Sequence, residues 1–175
     1  MHFAHRFFKA PLAALALFAA ATTLTHATAP AAKGQAPGWF RMPLGDFEVT
    51  ALSDGTVALP WDKLLAAPAS LIRAALQREY MTPGPMETSV NGYLINTGSK
   101  LVLIDAGAAG LFGPTLGRLV KNLEASGYKP EQVDEIYITH LHADHVAGIT
   151  SADGKMVFPN ATVRLHAREA AFWLD

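Results

Sequence analysis

The chain contains no cysteine. That excludes disulfide staples, thiolate nucleophiles and thiolate ligands, so any cation must be held by imidazole and carboxylate. Charge is sparse too. Only 17% of the 175 residues are Asp, Glu, Lys or Arg, the formal net charge is −1, and no stripe of Lys and Arg forms. A phosphate backbone is normally met by clustered cations, so nucleic acid is not an expected partner. Long apolar runs are also missing. The longest, Ala10 to Ala21, has 12 residues against the roughly 20 that a spanning helix needs. What remains is half apolar (50%), the composition of a globular protein, and long enough for one domain with a core.

The amino terminus reads apart from that domain. MHFAHRFFK carries Arg6 and Lys9 and no acid, the apolar run follows, and TTLTHATA is small and polar. This is the order of a secretory signal, with cleavage after Ala27 or Ala29. Residues 1–29 are expected to be a signal peptide. The protein is then exported, periplasmic or secreted, and free of the membrane after cleavage. Losing Arg6 and Lys9 and no acid moves the formal charge from −1 to −3. Residues 30–38, PAAKGQAPG, read as a flexible leader, which leaves 39–175 for the folded domain.

Within it, DFEVTALSDG alternates as a strand that ends in an Asp54-Gly55 turn, and TVALP is a second strand closed by Pro60. A helix is expected from Ser70 to Tyr80. Tyr93–Ile95 and Leu101–Ile104 flank NTGSK as a hairpin, and the second run is apolar throughout, as in a strand buried on both faces. Pro114 to Ser126 has Leu116, Leu119, Val120 and Leu123 at helical spacing, with Pro114 at the first position and Gly127 as the stop. EIYIT is a short strand, ATVRLH the last strand, and AREAAFWLD begins a helix. Strands alternating with helices indicate an α/β layered domain.

Three of the seven histidines fall in ITHLHADHVAGI, directly after EIY. His140 and His142 are two apart, so on an extended segment both point the same way and can meet one cation at about 2.0–2.1 Å. Asp144 and His145 diverge from that pair and can serve a second cation nearby. Such a set suits two Zn2+, with other divalent metals as alternatives, sharing an acidified water. The competing reading is a loop of solvated histidines. Thr139 is a candidate cap of the loop, and His166 reads as a surface or capping histidine rather than a ligand.

THLHADH after YI, with LVLIDAG upstream, resembles the metallo-β-lactamase superfamily, whose fold is an αββα sandwich. LGDFEVTALSDGTVALP, GYLINTGSKLVLIDAGAAGLFGPTLGRL and GYKPEQVDEIYITHLHADHVAGI are similar to methyl parathion hydrolase and its lactonase and arylesterase relatives. The similarity runs from about residue 38 to the end. It implies that His140 and His142 bind the first metal and Asp144 and His145 the second, with Asp105 as a supporting carboxylate behind them. It also implies a metal-bridging hydroxide that attacks lactones, aryl esters or organophosphate triesters, in a pocket bordered by Leu64, Phe112 and Trp173. Organophosphate-degrading members carry a basic residue where Leu64 stands, which turns the expectation toward lactones and aryl esters.

Relatives of this kind complete the two metal sites with later residues: a third histidine, a bridging carboxylate and a final histidine. Those positions fall beyond Asp175. The chain is therefore expected to be the amino-terminal part of a longer hydrolase, the first half of the sandwich. By itself it should be inactive, with a bared apolar sheet face prone to aggregation. By analogy the parent is a homodimer acting on a small-molecule substrate. The alternatives are a class B-like metallo-β-lactamase and a non-catalytic metal-binding remnant.

Overall fold

The computed structural model describes residues 29–31 and 36–175. Residues 1–28 of the expected signal peptide and 32–35 of the leader lie outside the described residues. Six strands form one sheet in chain order: β1 (Trp39–Leu44), β2 (Phe47–Leu59), β3 (Met86–Asn96), β4 (Leu101–Ile104), β5 (Glu135–Ile138) and β6 (Thr162–Leu165). β1 through β4 pair antiparallel, while β4, β5 and β6 run parallel. The helices are α1 (Trp61–Leu64), α2 (Ala69–Arg78), α3 (Leu119–Ala125), α4 (Ala143–Val146) and α5 (Ala167–Trp173). Among the described residues no helix is long and apolar enough to cross a membrane.

Two sequence expectations are corrected. The first concerns Asp54-Gly55, which makes no turn. β2 is one strand of 13 residues, and the pairing with β3 merely shifts at Ser53/Gly55. Gly55 sits at φ +135, and a Cβ there would lie 1.9 Å from the Thr115 carbonyl oxygen. The glycine therefore serves a bulge and a close backbone approach. The Asp-Gly pair signals a hairpin only when the chain reverses, and here the ladder continues beyond it.

The second concerns the helix expected from Pro114, which begins only at Leu119. Residues 114–118 are held as a loop whose end is fixed by amides that find acceptors on Asp54 rather than within a first helical turn. Gly117 and Leu119 donate to its carboxylate and Arg118 donates to its backbone carbonyl. β1 and the length of β3 also exceed what alternation alone indicated.

Cross-strand register sorts the sheet into two faces. Thr50, Leu94, Leu103 and Ile136 stand side by side across β2 to β5, and all are buried. Leu119 and Leu123 of α3, with Phe158, close over this row to make the core. The adjacent row is Phe40, Ala51, Tyr93, Ile104 and Tyr137, which necessarily points the other way. Phe40, Tyr93 and Tyr137 are 67%, 46% and 44% exposed, so this second face is uncovered among the described residues.

The parallel strands are tied at their amino ends by charge. Glu135 of β5 is buried and accepts from Arg164 of β6 at 2.9 Å and from Lys100 just before β4. The Arg164 and Lys100 hydrogen bonds lower its pKa from the ordinary 4.5 to about 2. A carboxyl depressed on folding stabilises the native state fully above 4.5, and the contribution fades as pH falls toward 2. Glu135→Gln is expected to lower the melting temperature at pH 7, by a gap that narrows below pH 4.5 and closes near pH 2. Thermal melts of both proteins across that range check it.

Candidate metal centre

The histidine cluster occupies the carboxyl ends of the parallel strands, where open α/β sheets place their ligand sites. β4 stops at Ile104, and Asp105 turns with φ +57 while its N–H donates to the Tyr137 carbonyl at 3.0 Å. β5 stops at Ile138, after which Thr139 to His142 lead into α4. That helix is a single turn with His142 at its N-cap.

The buried Asp105 carboxylate organises both strand ends. Its Oδ1 accepts from the Thr139 N–H at 2.9 Å, and its Oδ2 accepts from the Thr139 hydroxyl at 2.9 Å and from His145 Nδ1 at 2.8 Å. One hydroxyl proton cannot serve two acceptors. Since Thr139 Oγ1 donates to Asp105, it can only accept from His140 Nδ1, 3.1 Å away. The network thus places the protons of His140 and His145 on Nδ1 and leaves both Nε2 lone pairs facing outward. Carboxylates and hydroxyls that orient imidazoles in this way are common behind metal-binding histidines.

The outward donors come as two pairs. His140 Nε2 lies 3.1 Å from His142 Nδ1, and His145 Nε2 lies 3.3 Å from Asp144 Oδ2. Two ligands of one tetrahedral cation at 2.0–2.1 Å are about 3.3–3.4 Å apart. Both pairs match that edge, and the His140 and His145 rings are themselves 4.0 Å apart. The donors therefore fit two neighbouring cations with nitrogen and oxygen preference. Among the described residues no three His, Asp or Glu side chains converge as a single metal-binding group. A catalytic zinc ordinarily has three protein ligands, so each pair is a partial set.

Beside the pairs lies a cavity of about 620 Å3, within the range of small-molecule pockets. His142, Asp144 and His145 form one wall, and Leu64 and Phe112 line it as well. Trp173 is not among its lining residues. Its ring meets His142 edge-on, at 5.8 Å between centroids. Tyr93 and Asn91 of β3 also line the cavity. Sequence reasoning missed both, because alternation along β3 does not say which face borders a site. His166 caps α5, with Nδ1 accepting from the Arg168 N–H at 3.1 Å.

A second buried carboxylate, Asp54, stands behind the loop that carries Phe112. Oδ2 accepts from Ala108 at 3.0 Å and Gly117 at 3.2 Å, and Oδ1 accepts from Leu119 at 3.0 Å. Both ends of the 108–119 loop are thereby fastened to β2.

Residues 85–171 match the family described as the metallo-beta-lactamase superfamily. The structure is similar to hydrolase AbOPH of the beta lactamase superfamily, with 46% identity and a TM-score of 0.74 over 81% of this chain. It is similar also to AidC, a dizinc quorum-quenching lactonase solved with the product N-hexanoyl-L-homoserine, with 26% identity and a TM-score of 0.74 over 79% of this chain. The exodeoxyribonuclease WalJ of Streptococcus pneumoniae is 36% identical over 62 residues, 35% of this chain. The chain spans 49% of AbOPH, 48% of AidC and 21% of WalJ, so it corresponds to about half of the two hydrolases. Six strands in this order, with the histidine loop at the ends of β4 and β5, thus form an α/β layer similar to part of the metallo-beta-lactamase fold.

Proposed function

We propose that the protein is the amino-terminal portion of an exported, metal-dependent hydrolase that opens lactones or aryl esters. The observation that carries this reading is the pair of donor pairs, 3.1 Å and 3.3 Å across, set in the wall of a small-molecule cavity. His140 and His142 would hold one divalent cation, and Asp144 and His145 a second, with zinc the preferred metal. Remaining ligands come from the half of the fold that this sequence does not span. Two such cations supply a water nucleophile at neutral pH and Lewis acidity toward an ester oxygen.

The chain's own residues do the rest. Asp105 and Thr139 hold the protons of His140 and His145 on Nδ1 and leave each Nε2 for a cation. Leu64 and Phe112 give the cavity an apolar wall suited to an acyl chain or an aryl leaving group. Likeness to the lactonase AidC supports the same substrate class, and an apolar Leu64 speaks against a dedicated phosphotriester enzyme. WalJ suggests a nuclease. However, no Lys or Arg lines the cavity, and a phosphodiester polyanion would meet no cationic side chain there.

Turnover by the complete protein tests the reading, with an acyl homoserine lactone, phenyl acetate, a phosphotriester and nitrocefin as parallel substrates. The lactone or the aryl ester should be hydrolysed fastest, with activity lost to a chelator and restored by Zn2+. Nitrocefin as the best substrate would transfer the protein to the β-lactam-cleaving group. No hydrolysis of any of the four by metal-loaded protein would leave a non-catalytic metal binder.

A further inference from the structure

We infer that Glu169 of α5 is a positioning residue for the first metal site. The inference rests on the metal reading above. Glu169 Oε2 accepts a hydrogen bond from the Leu141 N–H at 2.9 Å. Leu141 is the residue between His140 and His142, and its N–H is the one backbone donor between the two imidazoles that precedes His142.

The bond is not the one that local sequence dictates. Counting from the His166 N-cap, Glu169 is the third helical residue, where a glutamate normally reaches back to its own N-cap amide as half of a capping box. Here His166 caps α5 alone, through Nδ1 and the Arg168 N–H. The Glu169 carboxylate is free to turn outward across 28 residues of chain. It takes the amide that fixes the peptide plane between the two histidines.

That plane decides where the two rings can go. His140 is already held by Thr139 through Nδ1, but among the described residues His142 has no side-chain hydrogen bond other than that to His140. His142 is exposed, and its orientation therefore depends on backbone at Leu141 and on the edge of Trp173, 5.8 Å away. Both restraints come from α5. Glu169 holds the peptide and Trp173 bounds the ring, so this helix sets the 3.1 Å spacing of His140 Nε2 and His142 Nδ1. Leu141 itself packs against the core, which gives the clamp a firm base.

Glu169→Gln keeps an oxygen acceptor in place, whereas Glu169→Ala removes it. Two readouts are made on each protein: hydrogen exchange of the Leu141 amide in metal-free protein, and Zn2+ affinity by competition with a chromophoric chelator. In the wild type the Leu141 amide should be protected. Glu169→Ala should speed its exchange by at least about tenfold and weaken Zn2+ binding by about tenfold, the lower range for lost outer partners of metal ligands. Glu169→Gln should stay within about threefold of wild type on both.

An unprotected Leu141 amide in the wild type overturns the inference. So does unchanged zinc affinity in Glu169→Ala, or equal losses in both variants. Should the alanine variant not fold, the Leu141 amide proton in wild type and Glu169→Gln decides, since a neutral acceptor must move its resonance selectively. Absence of Zn2+ binding by the wild type refutes the metal reading instead, and the exchange result still stands as the test of the clamp.

Discussion

Gly148→Ala should lose about 3 kcal/mol of stability, the upper end for forced overpacking, and melt about 10 °C lower. A Cβ at Gly148 would sit 1.9 Å from the Ala106 carbonyl oxygen. That oxygen belongs to backbone, so no side-chain rotation relieves the clash. The two segments are zipped together there: the Ala106 N–H donates to the His145 carbonyl at 2.8 Å, and the Gly148 N–H donates to the Gly107 carbonyl at 3.1 Å. Any movement that admits a methyl group stretches both bonds and draws His145 away from Asp105. Differential scanning calorimetry measures the first consequence. Loss of Zn2+ affinity measured on protein that is still folded, below its melting point, measures the second. A variant with wild-type melting and metal affinity would show that the close approach of these two segments is not a constraint.

Asp54→Ala should also be strongly destabilising. It leaves the amides of Ala108, Gly117 and Leu119 without the acceptor they now share. Ala108 and Leu119 are buried, and each such orphan donor costs about 1–3 kcal/mol, so the two together cost roughly 2–6 kcal/mol. Total stabilities of domains are about 5–15 kcal/mol, and the variant should populate a loosely packed state at 37 °C. Asp54→Asn retains one oxygen and should fall between the two. If the oxygen takes the Oδ2 position, Ala108 and Gly117 keep their acceptor while an NH2 group confronts the Leu119 N–H. Urea unfolding midpoints should rank wild type, then asparagine, then alanine. Equal midpoints for all three would mean that solvent satisfies those amides and that the loop is not fastened through Asp54.

The same residues show what was legible in the sequence. H-x-H-x-D-H is a local pattern, and local patterns survive into structure because neighbours along the chain remain neighbours in space. Asp105 was legible only through the resemblance, because an Asp that ends an apolar run reads equally well as a simple turn residue. Asp54 was misread for the converse reason. Asp-Gly is a turn signal by local chemistry, yet its carboxylate is bound by amides 54 to 65 residues away, and no local rule reports such partners. The late start of α3 has one cause with it, since the amides that a first helical turn leaves orphaned are taken by Asp54. Tyr93 and Glu169 were invisible on similar grounds. A strand's alternation gives two faces without naming the one that borders a cavity. A glutamate in a helix's first turn suggests a capping box, until its partner is seen to be another loop.

His140, His142, Asp144 and His145 of one loop are proposed to supply ligands to two divalent cations. Bound metal per chain of the complete protein, measured by mass spectrometry after Zn2+ loading and exhaustive dialysis, checks this. The comparison sets wild type against His140→Ala/His142→Ala and Asp144→Ala/His145→Ala. Metal is expected in the wild type, with a deficit in each double variant and none above the buffer when all four positions are replaced. Metal retained by the quadruple variant at the wild-type level would contradict it.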